Sequence, residues 1–546
     1  MKIKIISCCI ILLLIFSRCV NKEDEITKSH IQYGGVFKLL FSDPVETLDP
    51  LQILYNVDWR VSSLIYEGLI GYGDKSDDII PLIAEKWEKY DGGLRWIFSI
   101  RKGVRFQDNP CFKNGVGKEC TANDVLFTFY RMADPNTECY NRDLLLEKIE
   151  GFKEYYSGKA KDISGIKVLD DYRIQFELTK PYHTFLKILA SALGYIVPEE
   201  AVKYYGADFK KNPVGTGAFR MAEWDALKGI TIVKNENYWG KDEYGNKLPY
   251  LNEIHVKTIT NNFLLSTEFL KGECDLLFCD KIQHNKFISD SLINNKYNFY
   301  SLGSGTAVRF LGFSLSKNSP VNKKEFRQAL DYIFASSEYS KDSIDNYIPA
   351  FTLVPPHLFS YSNSKPDYPD SLDKVIKNYP AYYKNHPITI LVSCELADIE
   401  YFKNNLKKFG FNPKVKIQTL QYYEEIIKQR PDVFRVSMHP AFPDPEGYYF
   451  LFYSKSDESL NLTGYSNPDF DRVFEQALVE QDIDKRNKLF VKLEKILKED
   501  YPAIYISHEG TRYYALPKCI NGFKLRLEIP DYKFIWKDDE KHSAKP

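Results

Sequence analysis

The stretch 388–420 limits the fold more than any other part of the chain. "ITILVSC" (388–394) is a continuous apolar run suited to a buried strand. "ADIEYFKNNLKKFG" (397–410) follows, with Ile399, Phe402, Leu406 and Phe409 on one helical stripe and a stop at Gly410. "PKVKIQTL" (413–420) is a second strand. Strand, helix and strand at this spacing form a βαβ unit, and such a crossover makes the two strands parallel. This half of the chain is therefore expected to be a layered α/β structure.

The neighbouring segments agree. Asn467 and Pro468 suit an N-cap and first helical position. They open a helix with Phe470, Val473, Phe474, Ala477 and Leu478 inward. A second helix carries Leu489, Phe490, Leu493, Ile496 and Leu497 and ends before Pro502. The first half mixes shorter elements. "LRWIFSI" alternates Leu94, Trp96, Phe98 and Ile100, and "YRIQFEL" alternates Tyr172, Ile174, Phe176 and Leu178. "TANDVLFTFYRM" opens on Thr121 as N-cap, with Asp124 near the positive helix end. "GITIVKN" and "EIHVKTI" are further strands. With 546 residues and roughly 150 residues per domain, about three or four units are expected. They group into two α/β lobes, with a crossover near 280–290.

The N-terminus is separate. "MKIK" is a basic start and "IISCCIILLLIF" an apolar run of twelve residues, too short to span a bilayer comfortably. A cleaved signal over 1–18 is expected, followed by Cys19. A Cys after such a run resembles the lipobox of bacterial lipoproteins, in which that Cys is lipidated, although Arg18 and Phe16 replace the usual small residue and Leu. The alternative is a plain secretory signal or an uncleaved anchor. Residues 19–33 then form a polar tether. Seven cysteines follow Cys19. Cys111 and Cys120 bracket "CFKNGVGKEC", a small loop that a disulfide would close outside the cytoplasm. Cys274 and Cys279 are expected to be buried apolar residues.

The formal net charge of -1 gives no electrostatic case for nucleic acid or anionic membrane. The chain has no G-x-x-x-x-G-K-[ST], G-x-S-x-G or H-E-x-x-H. Its histidines are scattered, so no metal site, cofactor or catalytic group is expected.

An ordered set of segments resembles the family 5 extracellular solute-binding proteins of ABC importers, the oligopeptide- and dipeptide-binding group. The set includes "GGVFKLLFSDPVETLDP" (34–50), "VSSLIYEGLIGYGDKSDDIIPLIAEKWE" (61–88), "RWIFSIRKGVRFQD" (95–108), "VGTGAFRMAEW" (214–224) and "FLGFSLSKNSPVNKKEFRQALDYIF" (310–334). It ends with "YSNPDFDRVFEQALVEQDIDKRNKLFVKLEKILKEDYPAIYI" (465–506). The resemblance implies an α/β fold of the class II periplasmic-binding type, of the large cluster with an extra subdomain. Two lobes would be joined by two hinge crossings. Lobe I would comprise 34–284 plus 506–546, with a subdomain inserted at about 67–185, and lobe II 285–505. It further implies a monomer in the cell envelope, periplasmic or at the cell surface. Such a protein would be anchored to the membrane through Cys19 and would pass a peptide or other small solute to an inner-membrane permease.

One loop departs from the family. In peptide-binding relatives the stretch equivalent to "MHPAFPDPEGYYF" (438–450) runs Trp-x-x-Asp-Tyr, and its Asp grips the peptide's amino group. Here Met438 stands for Trp, Ala441 for Asp and Phe442 for Tyr, while Asp444 keeps its later position. The ligand-facing residues are expected to be His439, Ala441, Phe442, Asp444, Tyr448 and Tyr449. Without the anion, the loop would hold its ligand by shape and aromatic contact, which favours a non-peptide solute or one with a blocked amino end. The competing expectation is that Asp444 or Glu446 has taken over as anchor. A surface receptor or adhesin on the same scaffold, and a hydrolase, are the remaining alternatives; the latter lacks a visible nucleophile–base pair.

Overall fold

The expected βαβ unit is present in the computed structural model. Pro387–Val392 pairs in parallel with Asn412–Ile417, and the helix Ala397–Lys408 connects them. Ile399, Phe402 and Leu406 are buried, each stabilising the layer by roughly 1.5–3 kcal/mol. The helix ends in a Schellman motif. The Gly410 amide donates to Lys407 (3.0 Å), the Phe411 amide donates to Leu406 (2.9 Å), and Gly410 has a φ of 82°. The structure describes residues 31–538 apart from 76–77, 260, 316–318, 336–346, 359–367, 369–375, 377–385, 395, 420 and 528. The signal segment, Cys19 and most of the tether lie outside the described residues.

This unit belongs to a six-stranded mixed sheet in the order Tyr347–Pro349, Ala503–Glu509, Val308–Phe313, Val433–Met438, Pro387–Val392, Asn412–Ile417. The helices Pro468–Val479 and Ile483–Asp500 pack against each other in the same half. Asn467 caps the first of them through its side chain, and Phe470, Val473, Phe474 and Ala477 are buried.

The other half is built on two sheets. Val36–Phe41 pairs in parallel with Glu253–Thr258, which continues antiparallel to Gly229–Lys234 and Phe219–Asp225. A separate antiparallel sheet runs Ala84–Tyr90, Arg95–Ile100, Arg173–Glu177, Ile166–Asp170, so the stretch 84–177 closes on its own strands. Trp96, Phe98 and Ile100 are buried as their alternation requires, whereas Leu94 is 38% exposed because the strand starts one residue later. Thr121 and Asp124 close the start of the helix Ala122–Ala133, the Thr121 amide donating to the Asp124 carboxylate at 2.9 Å.

A three-stranded sheet adjoins the sheet of Val36–Phe41, with a parallel bridge from Leu39 to Leu276 and Leu40 in its core. Thr511–Pro517 sits between Leu277–Cys279 and Tyr297–Ser304, antiparallel to both. The chain leaves it for the six-stranded sheet after Ser304 and returns between Glu509 and Thr511. The crossover thus falls after 304, later than the expected 280–290. The helices Lys281–Ser289 and Ser291–Asn294 are the reason: they pack on this sheet, not on the second half.

The expected Cys111–Cys120 bridge is corrected. Both are free thiols, Cys120 buried and Cys111 partly so. Main-chain bonds close the loop instead, from the Phe106 amide to Lys118 (2.9 Å) and from the Asn109 amide to Gly115 (3.0 Å). Burial raises both thiol pKa values, that of Cys111 to about 11. Cys274 and Cys279 are buried, as expected.

Candidate functional site

The strand Val433–Met438 is central in its sheet, and it delivers the proline-rich loop to the boundary between the halves. A cavity of about 420 Å³ opens there. The C-terminal half supplies Val436–Phe442, Tyr423, Glu424, Ile427, Phe450 and Leu451; the N-terminal half supplies Ile53–Asn56, Trp59, Glu138, Tyr140, Leu144 and Leu193. A cavity of this size with mostly apolar walls is typical of small-molecule sites.

The six loop residues expected at the ligand divide into two groups. His439, Ala441 and Phe442 line the cavity, with Phe442 almost wholly buried. Asp444, Tyr448 and Tyr449, expected there as well, do not line it and are buried. Tyr448 is buried and donates its hydroxyl to the Thr306 carbonyl. Tyr449 turns into the helical layer, its ring 5.4 Å from that of Phe490 and 6.2 Å from those of Phe470 and Phe474. The loop turns into the short helix Glu446–Tyr449 directly after Pro445. Side chains of a helix radiate in several directions, so the two tyrosines cannot share the face that Phe442 presents.

Asp444 is the anchor of a buried charge cluster. Its two oxygens accept from Arg486 Nη1 (3.0 Å) and Nη2 (2.7 Å), and Lys187 Nζ lies at 3.2 Å. Glu446 accepts from Lys148 (3.0 Å), Arg486 (3.1 Å) and the Thr184 hydroxyl (2.8 Å). Burial alone pushes the Asp444 carboxyl up. The Arg486 guanidinium and the Lys187 ammonium outweigh it and hold the group well below the usual carboxylate range. Both acids, the alternative anchors, are buried and paired within the protein. Lys148, Thr184 and Lys187 come from the N-terminal half, and Asp444, Glu446 and Arg486 from the C-terminal half. The cluster is thus an ionic latch between halves. It is supplemented by the Asp457 amide donating to Asp143 at 2.7 Å.

Residues outside the expected loop complete the cavity. Trp59 and Tyr55 belong to or flank the helix Asn56–Ser62. Glu138 and Glu424 are the carboxylates among its described lining residues. None of them carries a periodic or motif signal; only the approach of distant segments makes them neighbours.

Next to Trp59, Asp58 is fully buried. One oxygen accepts from the Glu46 amide (2.9 Å), and the other has no partner within hydrogen-bond distance among the described residues. Burial pushes its pKa from 3.8 up to about 7, against the amides of Glu46 and Thr47. A raised carboxyl pKa gives stability that is complete below the unfolded value and is lost as pH rises through the folded one. Asp58→Asn keeps the accepting oxygen and removes that loss. Its stability relative to wild type is expected to rise by roughly 2 kcal/mol between pH 5 and pH 8, read from urea midpoints. The same difference at both pH values would contradict the assignment.

Among the described residues no cluster of His, Cys, Asp or Glu could hold a metal ion, and no helix is long and apolar enough to cross a membrane. Two lobes around a cavity that both of them line define a solute-binding protein. The chain belongs to the bacterial extracellular solute-binding proteins of family 5, whose "Middle" model matches residues 78–459. It is 26% identical over 503 residues to a probable deoxycholate-binding periplasmic protein of Escherichia coli, covering 89% of each chain. It is also 26% identical over 493 residues to the periplasmic oligopeptide-binding protein OppA of Salmonella typhimurium, covering 84% of each. The structure of DppA from Helicobacter pylori in complex with the peptide STSA superposes with a TM-score of 0.78 at 21% identity, over 94% of this chain and 99% of that one. The fold is accordingly the two-lobed periplasmic-binding type.

Proposed function

We propose that this chain captures a small solute, peptide-like or otherwise, between its lobes and delivers it to the permease of an ABC importer. The observation that carries this reading is the cavity of about 420 Å³ walled by segments of both halves. The peptides named for relatives and the deoxycholate named for another support a scaffold that accepts varied solutes. Lobe I would be 34–304 with 510–538, and lobe II 305–509, with two strand crossings as the hinge. Cys19 would carry the lipid that tethers the protein to the envelope membrane. Closure around solute gives a permease two states to distinguish. A non-peptide solute is favoured by Ala441, which lines the cavity where peptide-binding relatives place an acid.

Native mass spectrometry of protein purified from its own cells is expected to show one co-purified solute per chain and an acylated N-terminus at Cys19. Scattering should give a larger radius of gyration once the solute is removed by partial unfolding and refolding. An unchanged profile, with no solute ever bound, would count against capture by closure. An unmodified Cys19 would count against the anchor alone.

A further inference from the structure

The charges around the cavity are one-sided. None of its described lining residues is Lys or Arg, while Glu138 approaches from the N-terminal half and Glu424 from the C-terminal half. Glu138 is fixed in place. It accepts from the Tyr140 hydroxyl at 2.6 Å and from the Gln52 side-chain amide at 3.0 Å, and the Tyr140 amide is tied to the Leu51 carbonyl at 3.1 Å. Tyr55, Tyr140 and Tyr423 complete the same end of the cavity. Both glutamates act on the Tyr140 phenol, which burial first and then these carboxylates push up. Burial, with Glu424 among the contributing charges, pushes Tyr55 to about 12. These phenols therefore stay neutral, and their rings remain available as π faces. The remaining wall is mostly apolar, interrupted by Asn56, Asn141, His439 and a few hydroxyl side chains, and Leu54 and Tyr55 are 48% and 41% exposed, a sizeable apolar surface.

An anionic group entering this end would lose water and meet no lysine or arginine among the described lining residues. A cation would meet two carboxylates and three aromatic rings, the arrangement that recognises ammonium and quaternary amine groups. Resting on the capture reading, we propose that the solute is an apolar body bearing an ammonium or quaternary amine head and no carboxylate. The head lodges between Glu138, Glu424 and the rings of Tyr55, Tyr140 and Tyr423.

The test is calorimetry on the purified full-length protein, stripped of solute, with octyltrimethylammonium and with octanoate as probes. The cation is expected to bind one per chain at least tenfold more tightly than the anion. The double variant Glu138→Gln, Glu424→Gln is expected to bring the two within about threefold, with its thermal midpoint unchanged because both residues are exposed. Octanoate binding as tightly as the cation, no binding of the cation to wild type, or an unaltered preference in the double variant would each overturn the proposal. An anionic or zwitterionic solute found by native mass spectrometry would overturn it while leaving capture intact. Absence of any co-purified solute together with silence of both probes would bring down both readings.

Discussion

Arg486→Met is expected to destabilise the C-terminal half by about 3–5 kcal/mol, the usual cost of stranding buried charges by deleting one partner. Arg486 is almost fully buried and bonds both oxygens of Asp444, one of Glu446 and the Ala477 carbonyl. Its guanidinium also lies 4.6 Å from the Phe490 ring centre. Methionine fills much of the space and supplies none of these donors. Three cations face two carboxylates in the wild type, so the variant retains Lys148 and Lys187 as counter-charges but loses the bidentate fork. Arg486→Lys restores charge without the fork and should fall between the two. The thermal midpoint of this half should drop on the order of 10 °C for Met. The gap should narrow in acid. The Asp444 pKa is depressed, so its contribution is present above the unfolded carboxyl value and fades as pH falls below it. A loss under 1 kcal/mol at pH 7 would mean that the cluster is relaxed by water and is no keystone.

The second large effect concerns opening, not unfolding. Lys148 and Lys187 reach the cluster from the N-terminal half, so their removal charges its cost to the contact between halves. The double variant Lys148→Met, Lys187→Met leaves two carboxylates facing one guanidinium. A cost of about 3 kcal/mol placed on the closed state would lower its ratio to the open state by roughly 100-fold. Apparent affinity falls in proportion to the competent fraction. Solute should therefore bind about 100-fold more weakly, and the unliganded protein should scatter with a larger radius of gyration, while each lobe melts as before. Unchanged affinity and unchanged scattering would show that the halves are held together by apolar contact alone.

The fold was legible where periodicity is local. The stripe Ile399, Phe402, Leu406 and the alternation Trp96, Phe98, Ile100 each report one element's buried face, and both hold. Asn467 and Gly410 act through backbone geometry that neighbouring residues specify, and both were readable. The site was half legible. Ala441 and Phe442 line the cavity because they sit in the loop that leaves the end of a central strand. Tyr448 and Tyr449 misled because an aromatic beside a loop looks alike whether it faces a cleft or a core, and the turn into Glu446–Tyr449 decides. Asp444 was ambiguous for want of its partner. That partner had a signal: Arg486 falls on the same buried stripe as Phe490, Leu493 and Leu497, and an arginine there needs an acid. Glu138 and Glu424 carried no such mark, since no spacing along the chain relates them.

The strand Thr511–Pro517 has a consequence for how the molecule is made. It is the middle strand of its sheet, yet both of its neighbours, Leu277–Cys279 and Tyr297–Ser304, precede it in the chain. On a ribosome adding 5–20 residues each second, it emerges roughly 200 residues, or about 10–40 s, after them. Through that interval two strand edges wait unpaired, the condition that invites wrong partners. The first lobe is thus begun early in translation and finished last. A chain cut short before Thr511 would lose the seam of the lobe that had been synthesised first.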